Sequence, residues 1–486
     1  MIDIKVRVHD RFSVEFKIGY LGQKNLKAND FMMNTWIFIP NSLDINSFTY
    51  GKTEFYRHAK SNIRYITPIY TLSELRNEEA LPFRFLEVAF HELSADHSQE
   101  NLAETEYQIK MFCSIVKSAL RKEADQIIKY TPEPDREKAI DLYIEQINDI
   151  TGKYRKLKDI LQDSGLYEEV VTLHSFGDEF LSNLIEFQTY RLLELIKQKD
   201  IECYNRIEDR LMLLIRHERK YKKQHQYQTI EKNSPDHNRA VFFRMRLLKK
   251  FVESHLFLNA YKKKDGQMAE QVYYSIAAGI SMIFATAIAF SFQQKYGNFT
   301  MPLFVALVIS YMLKDRIKEL ARFYFVHRLA KKYFDNKTVI SIKDTPVGWI
   351  KEGVDYITED RVPDEVMAMR DRSDLLEANN RHTAEKIILY RKLVRINGQV
   401  LDENNQYDIS GINDILSFNI SGFILKMDNP EVPLAVPKKD KGYEIIRGER
   451  IYYLNFLIQL RYEDKIDYKR FRLVMSRNGI EGIEKF

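Results

Sequence analysis

Two pairs of residues have side chains and spacings suited to metal or acid–base chemistry. His91 and His97 are six positions apart, which on a helix leaves them about 120° from a common face, so a zinc-protease arrangement is not predicted. His174 and Asp178 are four positions apart and share a helix face, but two ligands are too few for a metal site. We predict surface histidines at the first pair, a polar helix face at the second, and no catalytic, cofactor-binding or metal-ligating residues.

Common catalytic and nucleotide-binding motifs are missing from the sequence. It contains no GxxxxGKS/T or GxGxxG glycine loop for phosphate and no GxSxG nucleophile turn. Cys113 and Cys203 are 90 positions apart and match neither zinc nor disulfide spacing, which predicts a reducing compartment. The sequence favours a protein that is not an enzyme, although acids and histidines from distant segments could still meet in the folded chain.

Two basic clusters could contact an anionic partner. Residues 216–223 read RHERKYKK, with Tyr221 available to stack on a base. Basic segments beside a membrane gain about 1 kcal/mol per residue from anionic lipid. Lipid contact or a solvated helix face is therefore the preferred interpretation, and nucleic acid is not an expected partner. The second cluster lies in a predicted strand and its turn, where contact with a protein or an anionic ligand is compatible with the sequence but nonspecific: Lys469, Arg470, Arg472 and Arg477.

Two uncharged runs lie in the second half of the chain. Val272–Phe292 has 21 residues, about 31 Å as a helix, which matches the hydrocarbon thickness of a bilayer. After the loop Gln293–Asn298 comes Phe299–Leu313, with 15 residues. We predict a transmembrane helical hairpin over residues 269–315, with spans 272–292 and 296–313. The alternative is a buried helical hairpin in a large soluble protein.

Basic residues crowd both outer ends of this hairpin. Residues 210–264 carry 15 Lys or Arg against four acids, and residues 314–332 carry seven against two, in a chain of net charge +5. Because basic flanks remain in the cytoplasm, we predict a multi-pass cell-membrane protein with two spans and both termini cytoplasmic. The basic residues expected to face lipid headgroups are Lys262, Lys263, Lys264, Lys314, Arg316 and Lys318.

Small residues recur every four positions along the first predicted span. Such a stripe lets a second helix approach closely where lipid supplies no hydrophobic driving force. The spacing does not distinguish the other span from another subunit, and we predict a homo-oligomer. The membrane-packing residues are Ala277, Ser281, Ala285 and Ala289.

A heptad seam precedes the hairpin. Its apolar positions step by three and four residues in alternation, which fits one helix of an antiparallel bundle or, as the less favoured alternative, a self-associating coiled coil. The seam residues are Ile140, Tyr143, Ile147, Ile150, Tyr154, Leu157 and Leu161.

The loop between the spans has one local resemblance. Tyr296–Pro302 reads YGNFTMP and resembles the YGMN-F-x-x-MP loop of the two-span magnesium channels, in which a Gly-Met-Asn signature forms the outer mouth. The resemblance covers about seven residues, and this chain lacks the Met between Gly297 and Asn298. It implies that Gly297 and Asn298 would capture a hydrated cation. Neither span carries an ionisable residue, which argues against a transport path.

Hydrophobic periodicity predicts an α+β fold with a membrane anchor. Alternating residues such as Ile2, Ile4 and Val6 predict strands at the N-terminus, with further strands over Phe83–Phe90 and Leu416–Met427. The predicted domains are a strand-rich N-terminal cytoplasmic domain (1–102), a cytoplasmic helical region (103–268), the transmembrane hairpin (269–315), a cytoplasmic helical extension (316–335) and a C-terminal, mainly antiparallel β cytoplasmic domain (336–486).

These features predict an integral membrane protein with large cytoplasmic domains. We expect it to act by binding, as a scaffold, sensor or assembly component, with the lipid bilayer, further copies of itself and a cytoplasmic protein as partners. The alternative function is an oligomeric cation channel or transporter built from the two-span hairpin.

Overall fold

The computed structural model of this protein describes residues 1–162, 168–330, 333–342, 344–373, 385–407, 409, 411–438 and 442–486. The chain divides into two compact units. The sheet unit consists of Met1–Ile63, Asn259–Asn404 and Gly411–Phe486, and the helical unit of Arg64–Leu258 and Asn405–Ser410. The predicted combination of N-terminal strands, central helices and a C-terminal antiparallel sheet is confirmed.

The strands come from both ends of the chain and from its second half. In chain order they are β1 (Ile2–Asp10), β2 (Ser13–Leu21), β3 (Asn29–Ile39), β4 (Ala59–Tyr65), β5 (Asn259–Lys264), β6 (Asn336–Ile342), β7 (Thr345–Ile357), β8 (Lys386–Ile396), β9 (Gly411–Asn419), β10 (Glu431–Pro437), β11 (Tyr443–Glu449), β12 (Tyr452–Tyr462), β13 (Lys465–Ser476) and β14 (Gly479–Lys485).

The helices are concentrated in the middle of the chain. In chain order they are α1 (Lys52–His58), α2 (Leu72–Arg76), α3 (Leu81–Ala95), α4 (Gln99–Lys129), α5 (Glu133–Gln162), α6 (Glu168–Lys199), α7 (Ile201–Gln224), α8 (Pro235–Glu253), α9 (Gln267–Tyr296), α10 (Met301–Ala330), α11 (Asp364–Arg370), α12 (Gly398–Glu403) and α13 (Ser421–Ile424). Short 3₁₀ turns lie at Asn41–Leu43, Ser254–Leu256 and Glu359–Arg361.

Strands from both ends of the chain share the same sheets. The eight-stranded antiparallel sheet has the order β14-β13-β12-β3-β8-β7-β6-β5, and the four-stranded sheet has the order β1-β2-β9-β4. Trp36 of β3 lies opposite Leu457 of β12 on one side and Leu389 of β8 on the other. The strand regions expected as separate N- and C-terminal domains are therefore interleaved, because alternation reports which face of a strand is buried but not which strand it pairs with.

The two larger sheets pack face to face. The ring of Phe456 lies 5.2 Å from Phe16 and 6.1 Å from Phe418 between ring centroids, which joins β12 to β2 and β9. Successive residues of a strand point to opposite faces, so Leu457 lies on the other side of the large sheet. There it packs with Trp36 and Val366 in a second apolar cluster under α11.

The segment Phe83–Phe90 is helical, so the strand prediction for it is wrong. It lies within α3, whose buried residues Phe83, Leu86, Phe90 and Leu93 follow the three- and four-residue steps of a helix. Residues 64–102 belong to the helical unit. The predicted strand Leu416–Met427 also stops early, since β9 ends at Asn419 and α13 follows.

The heptad seam of α5 lies inside the helical unit. Its residues from Ile140 to Leu157 are no more than 3% exposed, and α5 contacts α6 and α7. The side chain of Leu161 lies outside the described residues. This burial favours the bundle interpretation, because the seam is already covered by helices of the same chain.

The helices α9 and α10 pack against each other. By length and composition, α9 is the one helix in the described part of the chain that is able to cross a membrane. Lys314, Asp315 and Arg316 interrupt the apolar stretch of α10. The predicted second span is therefore not supported by the same measure.

Candidate functional site

The contact between α9 and α10 is made by small residues. Ala277 and Ser281 of α9 are 0% and 2% exposed, and Ala306 and Ser310 of α10 are 7% and 2% exposed. The Ser310 hydroxyl donates a hydrogen bond to the carbonyl oxygen of Ala285 at 3.2 Å. The structure therefore places the predicted small-residue stripe, whose last member is the half-buried Ala289, against the second helix of the same chain.

Large apolar side chains cover the outer surface of this helix pair. Ile283 is 70% exposed and Phe304 is 62% exposed. Soluble proteins rarely expose a continuous apolar patch of this kind without using it for an interaction. The other members of the patch are Val272, Ile276, Ile280, Met282, Phe284, Phe290, Met301, Val305, Leu307, Val308, Ile309, Met312 and Leu313.

The lysines predicted to face lipid lie near the start of α9 and within α10. Lys262, Lys263 and Lys264 belong to β5, the edge strand of the eight-stranded sheet, where lysines also discourage edge-to-edge pairing with another chain. Lys262 lies 3.2 Å from Glu352, and Lys264 donates to Glu270 at 2.7 Å. In α10, Lys314 lies over the Tyr311 ring, Arg316 is exposed and Lys318 is half-buried.

The loop between α9 and α10 contains the residues of the predicted cation mouth. Gly297 ends α9 with φ of 76°, a left-handed conformation that favours glycine. The Asn298 side-chain oxygen accepts a hydrogen bond from Gln293 at 2.8 Å. Among the residues that the structure describes, no group of three or more His, Cys, Asp or Glu side chains could hold a metal ion.

The two histidine pairs have different environments. His91 and His97 are exposed, as expected. His174 and Asp178 are 3% and 2% exposed, so the prediction of a polar helix face is wrong. The His174 ring stacks on Tyr154 with a centroid distance of 4.8 Å, and burial lowers the pKa of His174.

Asp178 belongs to a buried ionic network that joins three helices. Arg155 of α5 donates to Asp178 of α6 at 3.0 Å and to Glu218 of α7 at 2.7 Å. Tyr221 also donates to Asp178, at 2.7 Å. The basic segment 216–223 is therefore only partly a solvated face, because Glu218 and Lys222 are buried within the bundle. A neighbouring acid on α6, Glu186, pairs with Lys222.

An open cleft lies in the sheet unit, and we call it the arginine cleft. Its volume is about 910 Å³, within the range of pockets for small molecules. It lies beside the apolar cluster under α11. The lining residues are Pro40, Asn41, Ser42, Arg370, Asp371, Arg372, Ser373, Glu385, Ile451, Tyr452, Tyr453, Asn455 and Arg472.

Strand register and a helix end bring these arginines together. Arg472 lies opposite Asn455, and Arg470 lies opposite Leu457, so both arginines are on the face of the sheet that α11 covers. At the end of α11, Asp371 has a left-handed φ of 48°, which turns the chain between Arg370 and Arg372.

Glu385 is the central carboxylate of the cleft. It accepts hydrogen bonds from Arg370 at 2.7 Å and from Arg372 at 3.1 Å. Arg470 lies outside the cleft lining; it donates to Asp371 at 3.4 Å, and its guanidinium lies 4.3 Å from the centroid of the Phe486 ring. Burial lowers the pKa of Arg470; the hydrogen bond to Asp371 opposes this shift, and the positive charge of Arg472 adds to it.

A second buried cation in the sheet unit is fully compensated. Lys392 of β8 is 0% exposed. Its ammonium group contacts Asp414 and lies 3.3 Å from Glu352, while Tyr390 donates to Glu352 at 2.5 Å. Burial opposes the charge of Lys392, but these two carboxylates outweigh it and raise the pKa of Lys392. Two carboxylates around one lysine make a structural ion cluster.

Sequence reasoning found part of the arginine cleft. Arg472 belongs to the basic cluster that the sequence made compatible, without specificity, with contact to a protein or an anionic ligand. Of the four residues of that cluster, Arg472 lines the cleft. Arg370, Arg372 and Glu385 gave no such signal, because they lie in a charged segment that reads as a solvated helix or loop.

No protein-family model matches this chain, no curated protein is significantly similar to it in sequence, and no solved structure is significantly similar to it in fold.

Proposed function

We propose that this protein is an integral membrane protein that acts by binding, as a scaffold, sensor or assembly component. The observation that carries the proposal is the surface of α9 and α10, where large apolar side chains face outward and small ones lie at the helix contact. Burying one such side chain contributes about 1.5–3 kcal/mol. A bilayer would cover all of them at once.

The two helices would insert as a hairpin. The uncharged run of α9 spans about 31 Å, the thickness of the hydrocarbon core. The 15 uncharged residues of the second run reach only about 23 Å. Local thinning of the bilayer and extension of the Lys314 side chain toward the headgroups would accommodate the difference. Close packing of Ser310 against Ala285 supports joint insertion of the pair.

Membrane extraction tests the anchor. Carbonate washing should leave the full-length chain in the membrane pellet, and recovery in the soluble fraction would contradict the proposal. The double variant Ile280→Asp with Ile283→Asp should shift the protein to the soluble fraction, because an acid at a span centre costs about 2.5–3.5 kcal/mol. The matched control, Leu at both positions, should remain in the pellet.

The basic flanks support a topology in which residues 1–268 and 316–486 lie in the cytoplasm. Protease added to intact cells should then cut neither of these two regions while the membrane is sealed. Cleavage within either region under these conditions would show that the topology is different.

The alternative function, an oligomeric cation channel, rests on Gly297 and Asn298 at the loop. Ion flux through liposomes containing the purified protein tests it. Flux that falls on Asn298→Ala would support a channel, and flux no greater than that of empty liposomes would remove this alternative.

A further inference from the structure

The outward side of α8 combines large apolar side chains with basic ones. Phe242, Phe243 and Leu247 are 64%, 61% and 48% exposed. Apolar side chains exposed singly are normal on a protein surface, whereas a cluster within two helical turns is typical of a surface that makes contacts. Exposed basic side chains accompany this cluster, and we call the whole set the α8 outer face. Its members are Phe242, Phe243, Leu247, Arg239, Arg246, Lys249 and Lys250.

The opposite side of α8 packs into the bundle. Val241, Leu248 and Val252 are buried, and steps of seven and four positions place them on one helix face. Arg244 is half-buried and donates to Glu179 of α6 at 2.7 Å. The inward-facing cation therefore has a carboxylate partner within the chain, and packing of α8 in the bundle keeps the outer face turned toward the exterior.

The basic residues of the α8 outer face have no acid among them. Between Asp236 and Glu253, α8 carries five Lys or Arg and no Asp or Glu. Arg246 and Lys250 are four positions apart, and like charges at this spacing repel each other on a helix. An anionic partner would remove this repulsion.

We propose that the α8 outer face binds the anionic lipid headgroups of a membrane surface, with its apolar side chains inserted at the boundary between headgroups and acyl chains. Helices that lie in this interface combine Lys and Arg with Phe and Leu, as α8 does. Each basic residue near an anionic leaflet strengthens binding by about fivefold. Leu247 favours lipid over nucleic acid, because bases stack on aromatic rings and not on an aliphatic side chain.

The inference adds a second membrane contact to the proposed anchor and does not depend on it. The α8 outer face belongs to the helical unit, whereas α9 and α10 belong to the sheet unit. One supporting argument does rest on the anchor. Glu253 and Gln267 are 14 positions apart, so with α9 in a bilayer the linking segment would keep the end of α8 within about 50 Å of the start of α9. Such a tether raises the effective concentration of lipid at α8.

A fluorescent label at position 247 tests the proposal. Cys113 and Cys203 are buried, so Leu247→Cys gives the full-length chain an accessible thiol for the environment-sensitive dye nitrobenzoxadiazole. The labelled chain is reconstituted into vesicles of phosphatidylcholine, alone or mixed with phosphatidylserine. We expect the emission to shift to shorter wavelength in the mixed vesicles only. Salt at about 1 M, which shortens the Debye length to about 3 Å, should reverse most of the shift.

Leu142→Cys supplies the matched control. Leu142 of α5 is 45% exposed, close to the 48% of Leu247, but Asp141 and Glu145 lie within one helical turn of it. The same dye at position 142 should therefore have the same emission in both kinds of vesicle.

Substitution of the basic residues measures the electrostatic part of the contact. Arg246→Gln with Lys250→Gln, in the chain labelled at position 247, should lower the ratio of inserted to free label in the mixed vesicles by about 25-fold, fivefold for each charge. Arg246→Lys with Lys250→Arg retains both charges and should bind as the unmodified chain does. Both positions are exposed, so the circular dichroism of both variants should be unchanged.

The outcomes separate this inference from the proposed anchor. If carbonate washing releases the chain, the labelled chain is added to preformed vesicles, and a shift with phosphatidylserine would show that the anchor is wrong and the α8 contact is right. A shift that is absent, equal in both kinds of vesicle, equal at positions 142 and 247, or unchanged by Arg246→Gln with Lys250→Gln would overturn the proposal. A response to single-stranded RNA and not to phosphatidylserine would also overturn it and assign the surface to nucleic acid.

Discussion

The bundle helices α4–α8 and the helix pair α9–α10 bury opposite kinds of residues. In the bundle, Phe112 and Tyr154 are fully buried and Arg155 joins two buried carboxylates. In the pair, Ala277 and Ser281 are buried while large apolar side chains face outward. In both arrangements the backbone groups form hydrogen bonds within each helix. The difference therefore lies in what surrounds the side chains. In the bundle the large apolar side chains pack against one another, whereas in the helix pair they are exposed on the outer surface.

The largest difference in free energy of unfolding is expected when one phenylalanine in each region is replaced by alanine. Phe112 is 0% exposed and Phe304 is 62% exposed, so Phe112→Ala should lower the free energy of unfolding of the helical unit by about 3–5 kcal/mol through lost contacts and a cavity. Phe304→Ala should change it by less than about 0.5 kcal/mol. Urea titrations of the full chain in detergent, followed by circular dichroism, measure both. Equal losses of free energy of unfolding in the two variants would mean that Phe304 is as buried as Phe112, contrary to the expectation.

A large effect is also expected from the buried ionic network. Arg155→Leu would leave Asp178 and Glu218, with side chains 3% and 1% exposed, without their shared cation, and should cost about 3–5 kcal/mol in the same titration.

The control for this variant is an exposed pair. Arg239 and Asp236 are 81% and 92% exposed, so Arg239→Leu should change the free energy of unfolding by about 0–1 kcal/mol. If Arg155→Leu changed the free energy of unfolding no more than Arg239→Leu does, the ionic network would not stabilise the bundle.

Acid should destabilise the helical unit before carboxylates are protonated. Burial, with Lys110 nearby, lowers the pKa of His255 from its usual 6.5 to about 4. The unfolded chain therefore binds a proton first, and stability should fall as the pH drops from about 6.5 to 4, by up to about 3 kcal/mol from this residue.

Urea titrations at several pH values measure this loss. His255→Phe should make the pH profile shallower, with His174, whose pKa burial also lowers, accounting for part of the slope that remains. The exposed position His91 supplies the control variant, His91→Phe, which should retain the original profile. An unchanged slope in His255→Phe would contradict the expectation.

The smallest effect is expected at the contact between α9 and α10. Ser281→Leu would overpack the buried side of α9 and should cost about 1–3 kcal/mol, whereas Ile283→Leu, at a position 70% exposed, should cost less than about 0.5 kcal/mol. Thermal unfolding in detergent measures the cost.

Mass photometry of the same variants tests the predicted homo-oligomer. If the stripe packs only on α10, Ser281→Leu should destabilise the chain without changing its particle mass. A fall in mass on this substitution would instead show that another subunit uses the stripe.

Much of the local structure could be predicted from the sequence. Alternation in β12 and β13 and the helical steps of α5 predicted their elements, because the period of the apolar residues reflects the geometry of each element. The same rule also gave an error at Phe83–Phe90, a short apolar run that suits a strand or a buried helix. Pro82 comes directly before this segment, at the start of α3, and a proline is compatible with the first turn of a helix.

The sequence by itself determined most of the helices and strands, the uncharged run within α9, and the lack of a glycine-rich or nucleophile motif. Tertiary structure decided which strands pair, that His174 and Asp178 are buried, and that Arg370, Arg372 and Glu385 meet Arg472. The reason is physical: periodicity is a property of neighbours along the chain, whereas strand partners and ionic contacts depend on residues far apart in sequence. Arg370 and Arg472 are 102 positions apart and share one cleft only because α11 packs on β12.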